Sequence, residues 1–492
     1  TMTYDGSSKA DGLKLFENGI EQKLVTTMDQ LTKDILMYSK EQPGLQIGAW
    51  DRGLGFKGGQ VDDIMVYNRE LTDYEVKVIG KKASWASIVQ KEPAQLTRTD
   101  LAILNKYYTS VLDPEVKAEA KNLHDIRTEL ADSVNKIREL MVMQDSPEPK
   151  KTFILNRGNY DSPGEMVFPN TPQSILPFPD NLPKNRYGSA QWLTDDKHPL
   201  TARVAVNRYW QNFFGTGLVK TSEDFGNQGE LPSHPESLDW LAVTFKESGW
   251  DTKKLCKLIV MSATYRQDSR AGSDAKLKDP ENRFLSHGPS RRMDAEMIRD
   301  NALMASGLLN NKIGGKSVKP YQPDGLWEIN NTSYTADTGN AVYRRSLYVL
   351  VKRSVPNPTL NTFDATERSY CVVRRQSTNT PLQALVLLND PTFVEAAKVL
   401  GQQITLSEGQ PEAITNIYRK LTGISPDKAE LKLLQSLQSE ELKKFRADIK
   451  RTKGWLSAGQ FKLNKDLEPA KVAANAVVAS VILNSDATLT KR

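Results

Sequence analysis

Asp224, Glu230, His234, Glu236 and Asp239 fall within sixteen residues. A histidine among carboxylates can transfer protons, because its charge changes near neutral pH, and a ring nitrogen can ligate a metal. His234 stands where a helix is expected to begin and Asp239 lies on that helix. His234, Asp224 and Asp239 are therefore the candidate catalytic group. Two carboxylates flanking a sugar bond would suit glycoside hydrolysis, provided their separation is right. The same residues have a plainer reading: Asp224 paired with an arginine, Glu236 completing a helix cap, and His234 bonded to backbone.

A second set is cationic. A guanidinium presents a fork of donors that matches carboxylate, sulfate or phosphate. Arg344, Arg345, Arg374 and Arg375, with Arg353 nearby in sequence, are read as an anion- or substrate-binding group. Asp294, Glu296, Asp300 and Asp364 are their alternative partners within the chain. Cys371 lies beside Arg374 and Arg375, where positive charge favours a thiolate, but no base for a nucleophile is identifiable. Cys256 falls on the apolar face of an expected helix and reads as core. The two cysteines form no CxxC or CxxCH, so a zinc or haem site built from cysteines is excluded and no metal ligands are assigned. Gly314-Gly315 lacks the strand and helix that a phosphate loop needs. Trp210, Trp240 and Trp250 could stack on sugars, but their helical spacing favours packing.

The elements that must position these groups fall into two kinds. Residues 1–88 read as β. Leu13-Lys-Leu-Phe-Glu17 alternates and closes on Asn18-Gly19, a strong hairpin signal. Leu45–Trp50 and Gly58–Tyr67 read as further strands, which together suggest a partial jelly-roll β-sandwich. Residues 89–150 read as a helical spacer. Thr97-Arg-Thr-Asp100 resembles a capping box, and Leu123, Ile126, Leu130, Val134, Ile137 and Met141 form an amphipathic seam. Prolines crowd residues 146–200 and exclude long helices there.

Helices dominate afterwards, with few strands. Ala202, Val206, Trp210 and Phe213 form a stripe ended by Gly215. Ser233-His-Pro-Glu236 reads as a capping box, and Asp251 as an N-cap. Met293, Met297, Met304 and Leu308 mark another helix. Arg345–Val351 reads as a buried strand. Pro381 opens a helix through Leu382, Leu385 and Leu388. The expected architecture is multidomain: a partial sandwich, the spacer, a mainly helical domain over 151–405, and a helical extension over 406–492 packed on it.

Composition narrows the function classes. The 66 Lys and Arg against 60 Asp and Glu leave a net charge of +6 over 492 residues. That excess is too diffuse for a nucleic-acid binder. No apolar run approaches the ~20 residues of a membrane span. The chain opens at Thr1 with strand-like sequence already under way, which reads as a fragment boundary.

Two resemblances add context. Tyr4-Asp-Gly6, Leu13–Gly19 and Gly59–Leu71 resemble the second half of a laminin-G/concanavalin-A-like lectin domain. From about Thr152 onward the chain resembles a family of uncharacterised domains found in planctomycete and related bacteria. The stretches that carry it include Asn156-Arg-Gly158, Asn207-Arg208, Gly215-Thr-Gly-Leu-Val219, Asp224-Phe-Gly226, Pro232-Ser-His-Pro235, Ser262-Ala-Thr-Tyr-Arg-Gln267, Tyr343-Arg-Arg345 and Thr378-Asn-Thr-Pro381. The resemblance implies an exported, extracytoplasmic protein, periplasmic or secreted. It also implies a cytochrome c domain as a partner in the full-length protein, with any haem on that upstream domain and no cofactor in this chain. It implies no reaction. The function expected is an accessory or binding module acting on polysaccharide. A carbohydrate-active hydrolase or redox enzyme, and a scaffold docking the cytochrome domain, are the alternatives.

Overall fold

Asn18 (φ 47°) and Gly19 (φ 78°) both take up left-handed backbone, as a tight two-residue hairpin turn requires. A computed structural model describes residues 1–31, 49, 50, 54, 55, 58–146, 148, 150–328, 332–407 and 412–491. In it β1 (Met2–Tyr4) pairs antiparallel with β2 (Leu13–Glu17), which the turn joins to β3 (Ile20–Glu21). Ala49–Trp50 (β4) pairs with Leu54–Gly55 (β5). Residues 45–48 of the expected strand lie outside the described residues.

The expected strand over 58–67 does not form. Val61, Ile64, Met65 and Val66 are exposed and enter no ladder. Alternation supplies a face, but a strand also needs a neighbour for its amides. The described residues here form one three-stranded and one two-stranded antiparallel ladder, which is fewer strands than a jelly-roll sandwich needs. The small core here is Phe16, Leu71 and Val76. Val76 comes from α1 (Asp73–Ile79), which is closed by a Thr72–Glu75 capping box.

The short α2 (Ala86–Val89) precedes α3 (Arg98–Tyr107). The capping box expected at Thr97 is present. Asp100 N–H donates to the Thr97 hydroxyl, and the Asp100 carboxylate accepts from Thr97 N–H at 2.9 Å. Lys91 Nζ adds a third contact at 2.7 Å. The Lys91 hydrogen bond, followed by those from Thr97, pulls the Asp100 carboxyl down to about 2. A depressed carboxyl contributes stability above its unfolded pKa of about 3.9, lost as pH falls through its folded value. The start of α3 is therefore expected to stay protected from hydrogen exchange at pH 4 and to fray as pH approaches 2. Asp100→Asn should fray it at neutral pH. Equal protection in both proteins at pH 7 would refute this.

A π turn leads to α4 (Pro114–Asn135), capped by Asp113. Its apolar seam is real in spacing but is not buried. Leu123, Ile126 and Leu130 are exposed, and Ile137 and Met141 lie past the helix end.

The chain divides into two units, Thr1–Pro147 and Glu148–Arg492. The second opens on a two-stranded ladder, β6 (Thr152–Leu155) with β7 (Pro163–Val167). Next come α5 (Arg186–Leu193), α6 (Thr201–Phe214), α7 (Pro235–Glu247), α8 (Thr252–Met261) and α9 (Ser273–Lys278). Val206 and Trp210 of α6 pack with Leu238, Leu241 and Phe245 of α7 and Leu255 and Ile259 of α8 into one core. Gly215 (φ 86°) ends α6 in the left-handed region, where a glycine avoids the Cβ clash.

The Ser233–Glu236 box does not form. His234 is the N-cap residue of α7 and makes no side-chain cap bond, while Pro235 fills the first turn. A proline there removes one donor and presets φ, so less capping is needed. Asp251 caps α8 as expected, accepting from Lys254 N–H at 3.0 Å.

A larger core follows. β8 (Arg291–Arg292) leads into α10 (Ala295–Ser306), then α11 (Pro358–Thr362), α12 (Pro381–Asn389), α13 (Pro391–Leu406), α14 (Ala413–Thr422), α15 (Lys428–Ala447), α16 (Ile449–Leu456), α17 (Pro469–Leu483), α18 (Asp486–Leu489) and β9 (Thr490–Lys491). Residues 406–492 are no appendage, because Val478, Ala479 and Ile482 of α17 sit in one core with Ala396, Ala397 and Leu400 of α13. Gly401 permits that approach: a Cβ there would lie 2.4 Å from the Ala476 nitrogen. The apolar residues that marked α10 and α12 in the sequence are mostly not the buried ones. Ile298, Ala302 and Leu303 of α10 point inward while Met297 and Met304 are exposed, and Leu387 of α12 is buried while Leu382, Leu385 and Leu388 are not. The strand expected at Arg345–Val351 is a 3₁₀ turn over Ser346–Tyr348 with a single bridge, Val318 to Val349.

Candidate functional site

Gln211 and Asn212 stand three and four residues after Arg208, and the capping Gly215 stands four and three after them, so they share one face of α6. The opposite face holds Val206 and Trp210 in the core. That geometry turns Arg208 outward into a cavity of about 750 Å³, lined also by Arg291, Arg292, Arg368, Arg374 and Arg375. β8 carries two of these arginines and is tied antiparallel to β9 near the other end of the chain, with Arg291 opposite Lys491 and Arg292 opposite Thr490. The remaining wall is the segment 366–377. Its exit is fixed by Asp364, whose carboxylate accepts from Thr378 N–H at 2.7 Å and from the Thr378 hydroxyl.

Three of the six arginines meet carboxylates. Arg374 pairs with Glu223 at 2.8 Å, Arg375 with Glu296 at 2.6 Å, and Arg291 with Asp294 at 3.7 Å. Burial pushes the Glu296 carboxyl up, but the hydrogen bond and charge of Arg375 outweigh it and hold the group below the usual range. Arg208, Arg292 and Arg368 form no ion pair among the described residues, and Arg292 donates only to the Asn379 amide oxygen, at 3.2 Å. Six cations against three carboxylates leave three positive charges unmatched. The Arg291 Nε is buried and has no hydrogen-bond partner. Such a cavity can hold a carboxylate or sulfate through bidentate guanidinium contacts.

A second cavity, of about 400 Å³, adjoins the first and shares Gly215 and Arg291 with it. Trp210, Phe214, Lys220, Asn282 and His287 are among its lining residues.

The residues read from the sequence distribute differently. Asp224 Oδ1 accepts from Gly226 N–H at 2.7 Å, closing a turn. Asp239 binds Arg203 Nε at 2.6 Å, and that bond holds its carboxyl below the usual range. His234 Nδ1 contacts the Ser233 hydroxyl at 3.0 Å. No hydrogen bond links His234 to either carboxylate among the described residues, and none of the three lines either cavity. The arginines also separate. Arg374 and Arg375 reach the large cavity. Arg344 is buried, stacks over Tyr348 at 3.7 Å and donates to the carbonyls of Lys312, Gly314 and Lys316. It braces a loop and has no donor fork turned to solvent. Arg345 is exposed and lines neither cavity. Cys371 is a free, exposed thiol on the large cavity's wall, and Cys256 is half-buried on α8. Among the described residues no group of three or more His, Cys, Asp or Glu is placed to hold a metal ion.

Several polar strings prove to be braces for the site. Asn207 is fully buried. Its amide donates to Val219 O at 3.0 Å and to Ser222 Oγ at 3.2 Å, and its oxygen accepts from Val219 N–H at 2.9 Å. Gly217 gives it room, since a Cβ there would lie 2.5 Å from the Asn207 Nδ2. Asn207→Leu leaves Val219 N–H unpaired and Val219 O with only the Ser222 hydroxyl at 3.4 Å, and an unpaired buried group costs about 1–3 kcal/mol. A fall of about 1–3 kcal/mol in urea unfolding is expected, and a change below about 0.5 kcal/mol would contradict it. Arg299 is likewise buried, donating to Val342 O, Arg344 O and Ser346 Oγ.

Residues 185–438 match a family model described as PSD1, a protein of unknown function (DUF1553). This chain belongs to the PSD1 family. The match spans α5 to most of α15 and so contains every arginine of the large cavity. It stops before α17, although α17 completes the core of the same unit. No curated protein matches the chain, and no solved structure does. No helix of the described residues is long and apolar enough to cross a membrane.

Four PSD1 arginines at the cavity, Arg208, Arg291, Arg292 and Arg368, were not singled out as a site from sequence. The Arg208–Gln211–Asn212–Gly215 spacing was a usable signal for α6. Nothing local could show that β9 would bring Arg291 and Arg292 to that helix.

Proposed function

We propose that this PSD1 protein is an accessory module that binds an acidic polysaccharide, with the arginine cavity as the recognition site. One observation carries the reading: six arginines from three distant segments line one cavity, and three of them have no carboxylate partner. Uncompensated guanidinium groups repel one another, an arrangement that an anion relieves. The cavity lies in the size range of small-ligand sites, about 300–1,000 Å³. An acidic polysaccharide is met outside the cytoplasm, so the extracytoplasmic placement implied by the sequence resemblance belongs to the same reading. Haem would come from a separate upstream domain. No observation favours a hydrolytic centre at His234, because Asp224 and Asp239 are already engaged elsewhere.

The test is a panel of neutral, uronate-bearing and sulfated glycans presented to the whole chain. Binding is expected for the acidic members alone, and it should weaken between 50 and 500 mM salt as screening grows. A flat response across the panel would sink the proposal.

A further inference from the structure

The second cavity differs from the first in charge. Lys220 Nζ bonds both carboxylate oxygens of Glu281, at 2.9 Å each. Arg283 pairs with Glu230 at 2.9 Å. Arg291, common to both cavities, is engaged with Asp294 and donates to Asn212 O at 2.6 Å. The cations lining this space are therefore matched within the chain, and the surface that remains is aromatic and neutral-polar: Trp210, Phe214, Asn282, Ser290 and His287.

The loop that carries His287 is rigidly built. Asp279 caps it twice, accepting from Arg283 N–H and Phe284 N–H at 2.8 Å each. The Asn282 amide donates to His287 O at 2.8 Å. Gly288 N–H donates to Asp268 O, and the Gln267 amide to Leu285 O. Asn282 (φ 51°) and Leu285 (φ 57°) both hold left-handed backbone. For a bulky leucine that conformation is strained and persists only when the surroundings enforce it. Leu285 packs on the α6–α8 core, which supplies that enforcement. The His287 Nδ1 contacts Gly288 O at 2.9 Å. A carbonyl only accepts, so Nδ1 carries the proton, and in the neutral ring Nε2 is the acceptor. An acceptor fixed in this way, beside an amide and an aromatic wall, suits a sugar hydroxyl.

We infer that the second cavity is an uncharged-sugar subsite continuous with the arginine cavity. The ligand is then an acidic oligosaccharide of at least two residues, with its anionic residue among Arg208, Arg292 and Arg368 and an uncharged neighbour against Asn282 and His287. This rests on the acidic-polysaccharide reading above and goes beyond it by specifying an alternation of charged and neutral sugars. A second anionic residue gains nothing in the second cavity, where each cation already has its carboxylate.

The experiment is calorimetric titration of the whole chain with three classes of probe. These are the monosaccharides galacturonate and galactose 4-sulfate, disaccharides joining one acidic to one uncharged residue (a uronosyl-hexose and a carrageenan-type disaccharide), and digalacturonate. The mixed disaccharide is expected to bind at least tenfold more tightly than its acidic monosaccharide, while digalacturonate gains less than threefold. His287→Ala should remove the mixed-disaccharide gain and leave monosaccharide affinity unchanged. His287→Asn, which keeps a donor for Gly288 O, should do the same in a protein of unaltered melting temperature. Equal affinity for monosaccharide and mixed disaccharide in the unaltered protein would overturn the subsite alone, as would an equal loss for both ligands in the His287 variants. No binding of any acidic sugar would overturn the underlying reading as well.

Discussion

Glu395→Ala is expected to lower the stability of the unit Glu148–Arg492 by about 3–5 kcal/mol, because it leaves buried donors without their charged acceptor and a nearby buried ammonium without its counter-charge. Glu395 and Lys398 lie one turn apart on α13 and are both buried. Glu395 Oε1 accepts from the Tyr343 hydroxyl at 2.8 Å and from Gln460 N–H and Phe461 N–H at 2.6 Å each. Lys398 Nζ donates to Ala458 O and Phe461 O. Gly459 (φ 73°) lets the loop close, since a Cβ there would lie 2.0 Å from the Glu395 carboxyl carbon. The two side chains therefore fasten one loop to one helix from both sides. Burial pushes the Lys398 ammonium down, and the charge of Glu395 opposes that shift. Alanine at 395 strands two amides, a hydroxyl and an uncompensated ammonium. Urea titration reads the loss as a lower midpoint at an unchanged slope. A loss below about 1 kcal/mol would show that water replaces the carboxylate easily.

The second large effect falls on binding. Arg208→Ala together with Arg292→Ala removes two guanidinium groups that no carboxylate of the chain neutralises. A hydrogen bond to a charged group contributes about 1.5–3 kcal/mol, so each substitution costs about tenfold to a hundredfold in affinity. The double variant should bind acidic glycans more than a hundredfold less tightly while keeping its melting temperature, because both side chains lie outside the core clusters. Arg344→Ala is the contrasting control, destabilising through three lost carbonyl contacts and sparing the cavity. An unchanged affinity in the double variant would place the ligand elsewhere.

What the sequence disclosed was local. Asn18-Gly19, the Thr97–Asp100 box, Gly215 and Asp251 all act where they stand, because each depends on neighbours within four residues. The failures share a different cause. Residues 58–67 alternate like a strand, yet strand formation depends on a partner ladder. Met297 and Met304 have helical spacing, but which face of α10 turns inward is decided by distant helices. The arginines show this most plainly. Arg344 and Arg375 look alike in sequence, and only the fold separates a side chain stacked on Tyr348 from one on a cavity wall. Asn207, Glu395 and Lys398 are polar residues whose burial depends on loops twelve to more than sixty residues away.

The most direct test of the anion site is a crystal structure of the whole chain with an acidic disaccharide that calorimetry has shown to bind. The acid group is predicted within hydrogen-bonding distance of the guanidinium groups of Arg208, Arg292 or Arg368. A saccharide seated instead beside His234 or on the sheet of β1, β2 and β3, with the arginine cavity holding only water, would contradict the account.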